Sequence, residues 1–238
     1  ADPTAGEEGQ VEEIVVTARK TSEKLQKVPA SISVVSAKKI ADAGLNEFKD
    51  IVGTVPNVAF GGGIASAVQG QIGIRGISTL VRNIGVESGV GFYVDGVYLG
   101  RPENYNQELI DVDRVEILRG PQGTLFGSSS MSGTLRVIEN RPDYQNVEGS
   151  WSASMSATDG GNNLYMGDVA VNLPVVKDKL AIRTVLWGES GGGFIDQETS
   201  NFDYRNVNDV TTKGGRISIG AEVTPQFHLL GMYTHQEI

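Results

Sequence analysis

The sequence predicts an α+β domain followed by the first strands of an antiparallel transmembrane β-barrel. Three observations predict it. Up to Pro142 short apolar runs alternate with helix-capping and turn signals. From Val147 onward the chain changes to long segments of strict apolar–polar alternation. The 238 residues include 31 glycines and no run approaching 18 apolar residues, which excludes a transmembrane helix but not a barrel whose strands are only half apolar.

Residues 1–13 carry five acidic and no basic side chains among Gly, Pro and Thr, the composition of a solvated arm. Ile14-Val15-Val16-Thr17 is an abrupt β-branched patch, and Lys20 to Lys27 reads as a polar linker. An extended apolar patch between an acidic arm and a linker fits a tethered, unpaired strand; it also fits the first strand of the domain that follows.

The block 28–142 reads as mixed α and β. Ala30 to Ser36 alternates as a strand, and Ser36 caps a short helix stopped by Gly44. Asn46 is the expected cap of a second helix, Glu47 to Val52, ended by Gly53 and Pro56. Gln71 to Ile77 and Gly91 to Tyr98 are expected strands, the latter interrupted by Asp95-Gly96. Arg114 to Arg119 and Thr134 to Glu139 are two more, joined through a Gly-Pro turn and the small-residue loop Gly123 to Gly133.

From Val147 to Ala157 every odd position is apolar or Gly and every even one polar. Leu164–Leu173, Lys179–Glu189, Lys213–Val223 and Gln226–His235 follow as strands. Asp159 to Asn162, Pro174 to Asp178 and Thr224-Pro225 are turns, and 190–212 is a long polar loop. Eleven residues at about 3.3 Å each, tilted by about 45°, cross roughly 25 Å of membrane. Soluble sandwich strands are shorter, about 5–6 residues, so the pattern favours a barrel over a sandwich. A barrel places Trp151, Val169, Val171, Leu173, Ile217, Ile219 and Val223 on one lipid-facing stripe.

Composition removes several functions. No cysteine is present, so neither a disulfide framework nor a thiolate metal site exists. A net charge of −9 argues against a nucleic-acid partner. The two histidines, His228 and His235, fall on one expected strand, and no nucleophile–base set or phosphate loop is visible, so no catalytic residue or cofactor is assigned. Asp111 and Asp113 suit salt bridges to Arg114 and Arg119 better than a metal site.

Several stretches together resemble the TonB-dependent outer-membrane receptors: Glu12 to Ala18; Gln71-Ile72-Gly73-Ile74-Arg75-Gly76; Phe92 to Tyr98; and the run from Asp113 to Pro142, with Ile117-Leu118-Arg119-Gly120-Pro121 inside it. The resemblance runs over essentially the whole chain. It implies an N-terminal arm with a TonB box at 1–27, a plug domain at 28–142, and about five barrel strands at 143–238 out of roughly 22 in the complete protein. It implies that Glu13, Ile14, Val15, Val16, Thr17 and Ala18 bind the C-terminal domain of TonB. Arg75 and Arg119, with Glu116, would lock the plug to glutamates of the barrel wall beyond Ile238; local pairs such as Arg119 with Glu116 are the plainer alternative.

The same resemblance places outward plug loops at Phe60 to Gly70, Ser78 to Gly89 and Leu99 to Gln107. Arg82, Asn83, Arg101, Asn104 and Tyr105 are the residues expected to meet a polar or anionic small-molecule ligand. Five strands cannot close, so the remaining barrel strands are expected on another chain or past Ile238, with Ile238 at the extracellular rim after a protease nick. The function implied is plug-gated, TonB-driven import of a scarce ligand across the bacterial outer membrane, in contact with its lipid. A soluble periplasmic binding or signalling module is the alternative. The ligand class, whether siderophore-bound iron, cobalamin, carbohydrate or an aromatic compound, is not written in these residues. The departures at Met131-Ser132-Gly133 and at the short strand Leu135 to Ile138 point to a subgroup.

Overall fold

The structure, a computed structural model, describes residues 14–17, 21, 23–61, 71–78, 88–100, 108–198 and 203–237. The chain divides into two compact units, Ala1–Glu139 and Asn140–Ile238.

The first unit is built on a five-stranded mixed sheet. Its strands are β3 (Ser31–Ser36), β7 (Val90–Val94), β8 (Val97–Tyr98), β9 (Val112–Arg119) and β10 (Gly133–Glu139), in the order β3-β9-β10-β7-β8. β10 runs antiparallel to β9 and parallel to β7. Two further ribbons complete the unit. β1 (Val15–Val16) pairs with β2 (Glu23–Lys24), and β4 (Val58–Gly61) with β5 (Gln71–Ile74) and β6 (Ile77–Ser78). The helices are α1 (Ala37–Asp42), α2 (Phe48–Thr54) and α3 (Gly123–Phe126).

Register decides which side chains meet. Val35 lies opposite Val115, Ile117 opposite Leu135, and Leu135 opposite Phe92, so these fall on one sheet face. Ile40, Phe48, Ile51 and Val52 from the two longer helices, Val55 just past the second, and Ile72 and Ile74 from β5 cover that face and close the core. Phe48 meets Phe92 edge-on, ring centres 5.3 Å apart. Gly133 is required where β10 passes β5: a Cβ there would lie 2.5 Å from both Ile74 Cδ1 and the Leu118 carbonyl oxygen.

Several local expectations are corrected. The second helix is capped at Glu47, whose N–H donates to Asp50 Oδ2, because Asp50 stands at the position where a carboxylate reaches back to the cap. That helix continues through Gly53 to Thr54. The stretch 71–77 is not one strand. Arg75 and Gly76 both take positive φ (55° and 77°), the geometry of a two-residue hairpin turn, and the chain reverses there. The small-residue loop contains the helical turn α3. The Asp95-Gly96 turn is found as expected, with φ of 47° and 87°.

The second unit is an antiparallel meander of β11 (Glu148–Ser156), β12 (Leu164–Val176), β13 (Leu180–Gly191), β16 (Val210–Thr224) and β17 (Phe227–Glu237). Between β13 and β16 the expected loop is folded. A small hairpin, β14 (Gln197–Glu198) with β15 (Asp203–Tyr204), projects from it. Asn208 Oδ1 accepts from the N–H groups of Phe194 and Ile195, and Asp209 Oδ1 from that of Gly193. The turn expected at Pro174–Asp178 moves to 177–179, and β12 runs on through a register shift between Pro174 and Val176. β11 reaches only as far as Asn172, so on that side Pro174 faces no ladder.

The meander has two unlike faces. Val169, Val171 and Leu173 share one with Trp151, Leu186, Ile217, Ile219 and Tyr233, all exposed. Ala170, Asn172, Val185, Arg216 and Ser218 lie on the other, all buried. Asn172 fastens the entry to the meander. Its Nδ2 donates to the carbonyls of Asp143 (3.0 Å) and Asn146 (2.7 Å), and its Oδ1 accepts from the Asp143 N–H (2.9 Å).

Candidate functional site: a buried carboxylate under the N-terminal ribbon

On the face of the five-stranded sheet away from the main core, alternation along β9 and β10 puts Glu116 directly opposite Arg136, and Arg136 opposite Tyr93 of β7. A carboxylate buried to 0% exposure needs charge partners and hydrogen bonds. Glu116 has both. Its Oε2 accepts from Arg136 Nη1 at 2.5 Å and its Oε1 from Arg114 Nε at 2.9 Å. Arg114 also pairs with Asp113, the partner expected for that aspartate. The Arg136 guanidinium lies over the Phe126 ring, 5.5 Å from its centre, and the Tyr93 hydroxyl donates to the Phe126 carbonyl.

The remaining lobe of Glu116 faces the N-terminal ribbon. Thr17 N–H donates to Glu116 Oε1 at 3.0 Å. The Thr17 hydroxyl oxygen accepts from Arg136 Nη1 (3.1 Å) and Arg114 Nη2 (3.3 Å). Val16 is fully buried against Leu118, with Ile14, Leu25, Val28, Ile32, Val34 and Phe126 around them. The expectation of an unpaired, tethered strand is therefore corrected. Val15 and Val16 pair with Lys24 and Glu23, residues read from sequence as linker, because a hydrophobic residue at position 16 gains more from burial on Leu118 than from solvation. Glu13 and Ala18 lie outside the described residues.

Arg75 and Arg119 are placed at the other face. Glu116 and Arg119 stand three positions apart on a strand of period two, so they point to opposite sides, and a local Glu116–Arg119 pair is corrected. Arg119 Nη1 donates to the Pro56 carbonyl at 3.3 Å, while its Nε is buried with no partner among the described residues. Arg75 sits on the hairpin turn rather than within a strand. One of its guanidinium nitrogens comes 3.8 Å from where a Cβ on Gly120 would stand, next to Arg119. Among the described residues no ion pair joins either arginine to a carboxylate. Arg82, Asn83, Arg101, Asn104 and Tyr105 lie outside the described residues.

Arg136 was missed in the sequence. The signal was present: a lone cation inside Leu135-Arg136-Val137-Ile138, an apolar run that a sheet buries on both faces, must meet an anion.

Residues 24–134 match the family described as the TonB-dependent Receptor Plug Domain. The pesticin receptor of Yersinia pestis is 35% identical over 136 residues, 55% of this chain and 19% of that protein. The ferrichrome outer membrane transporter/phage receptor of Escherichia coli is 34% identical over 129 residues, 53% of this chain and 16% of that one. The solved alcaligin outer-membrane receptor FauA from Bordetella pertussis aligns over 93% of this chain and 34% of its own, with 20% identity and a TM-score of 0.70. The chain thus spans about a fifth of the curated relatives it matches. A domain similar to the TonB-dependent receptor plug, with a carboxylate buried in its sheet, is thus followed by a long-stranded antiparallel meander, and this is the fold the chain shares with the alcaligin receptor.

Proposed function

We propose that this chain is the N-terminal part of a transporter that imports a scarce small molecule across the bacterial outer membrane, gated by the plug and driven by traction on Ile14–Thr17. The observation that carries the reading is the pairing of a plug-family domain with a meander whose strands reach 15 residues and whose exposed face is apolar. Fifteen residues exceed what a sandwich needs and suffice to cross a membrane at a tilt. The exposed stripe at Trp151, Val171 and Ile219 would be a liability on a soluble module, which speaks against that alternative.

In this reading Glu13 to Ala18 offer backbone groups to a sheet edge of the TonB C-terminal domain, and pulling loads the ladder bonds together. Arg75 and Arg119 face carboxylates of the barrel wall, which the buried, unpartnered Nε of Arg119 favours. Arg82, Asn83, Arg101, Asn104 and Tyr105 contact the ligand on the outer side. A ferric siderophore is the cargo class favoured by the ferrichrome and alcaligin proteins among the relatives. The test is deletion of Ile14–Thr17 in the full-length receptor. Ligand binding at the cell surface is retained and energised uptake is lost; uptake that persists rejects the reading.

A further inference from the structure

We propose that the Glu116 carboxylate is a latch on the open edge of β1, holding the backbone donor that an incoming strand would need. This rests on the reading of Ile14–Thr17 as the pulled segment. The ladder alternation carries the argument. Leu25 N–H donates to the Ile14 carbonyl at 2.9 Å, so Ile14 and Leu25 are a hydrogen-bonded pair. In an antiparallel ribbon such pairs alternate, so Val16 with Glu23 is the next one. Val15 and Thr17 therefore turn their N–H and C=O groups away from β2, to the edge on which a third strand would add. On that edge the Thr17 N–H is already taken by Glu116 Oε1 at 3.0 Å. A groove of about 310 Å³ lined by Ile14, Val15, Val34, Ser36, Asp113 and Arg114 opens beside it.

Strand addition and the resting plug thus compete for one hydrogen atom. The carboxylate is suited to letting go. After Thr17 leaves, Glu116 keeps Arg114 and Arg136, so the unlatched state has no orphaned buried charge. Thr17 holds on by three contacts, its N–H on Glu116 and its hydroxyl on the two arginines. Arg136 in turn packs on Phe126, whose carbonyl is held by Tyr93. A displacement of α3 therefore reaches the latch through two contacts.

The experiment uses the full-length receptor in lipid nanodiscs, with a spin label on Val15→Cys as the sole cysteine. Val15 is exposed, so the label does not disturb the buried side of the ribbon. Glu116→Gln weakens the acceptor. Thr17→Pro removes the donor together with the hydroxyl that meets Arg114 and Arg136, and leaves Glu116 paired with both arginines, which keeps the test sound if Glu116→Gln folds poorly. Each variant raises the ratio of mobile to immobile label about tenfold, equivalent to about 1.4 kcal/mol. Glu116→Gln also binds the isolated TonB C-terminal domain about tenfold more tightly, while Thr17→Pro, lacking a ladder donor, does not. Unchanged label mobility in both variants overturns the latch. Raised mobility with unaltered TonB binding in Glu116→Gln upholds the latch and rejects the assignment of Ile14–Thr17 as the pulled segment.

Discussion

Replacing Arg136 with methionine isolates the energetics of the buried carboxylate. Glu116 is fully buried, and its Oε2 meets Arg136 while its Oε1 is shared by Arg114 and Thr17. The substitution removes a charge-assisted hydrogen bond, about 1.5–3 kcal/mol. It also removes the cation from the Phe126 ring, about 0.5–2 kcal/mol. It leaves a desolvated carboxylate half-compensated, and breaking such pairs costs about 3–5 kcal/mol in all. The matching assay is amide hydrogen exchange of β9 and β10 in the purified protein. Exchange through sub-global opening accelerates by roughly two to three and a half orders of magnitude. Adding Glu116→Gln to Arg136→Met removes the stranded charge and recovers at least about 1 kcal/mol of the loss. A single-variant cost below about 1 kcal/mol, the value of an exposed pair, refutes the reasoning.

Four further outcomes are expected. Gly133→Ala drives a methyl group into Ile74 and the Leu118 carbonyl, where backbone cannot yield, and costs more than about 2 kcal/mol, read as a lowered plug melting transition. Asn172→Ala removes three hydrogen bonds that hold 143–146, about 2–3 kcal/mol at about 1 each, and exposes that segment to limited proteolysis in the intact protein. Val171→Lys on the exposed stripe costs about 2–4 kcal/mol in bilayer refolding if lipid covers it, and under about 0.5 if water does. Burial and then the neighbouring Glu222 carboxylate hold the Tyr144 hydroxyl above the ordinary phenol range. A raised folded-state pKa means that this contribution is whole below about pH 10 and declines as pH climbs through the raised value; Tyr144→Phe flattens that alkaline limb.

Local signals were legible residue by residue. Ser36 caps α1, accepting from the Lys39 N–H, and Gly44 follows with positive φ, as their chemistry dictates. Asp95-Gly96 reverses the chain for the same reason. The alternation after Val147 foretold both faces of the meander, because a side-chain period of two leaves no freedom once one face is apolar. Arg75 was harder: Ile74-Arg75-Gly76-Ile77 reads as strand by composition, and only the pairing of Ile74 with Ile77 reveals a turn.

The sequence by itself determined the elements, the turns between most of them, and the apolar stripe of the meander, since these depend on side chains within a few residues of one another. Only the tertiary structure decided the company of Glu116. Arg136 is 20 residues away and Thr17 99 residues away, and strand register alone makes them neighbours. Propensity acts along the chain, whereas the solvation energy of a buried charge is settled by whatever the fold brings across to it. That is why a β-branched patch readable as a free tether rests instead on a carboxylate from the middle of the plug.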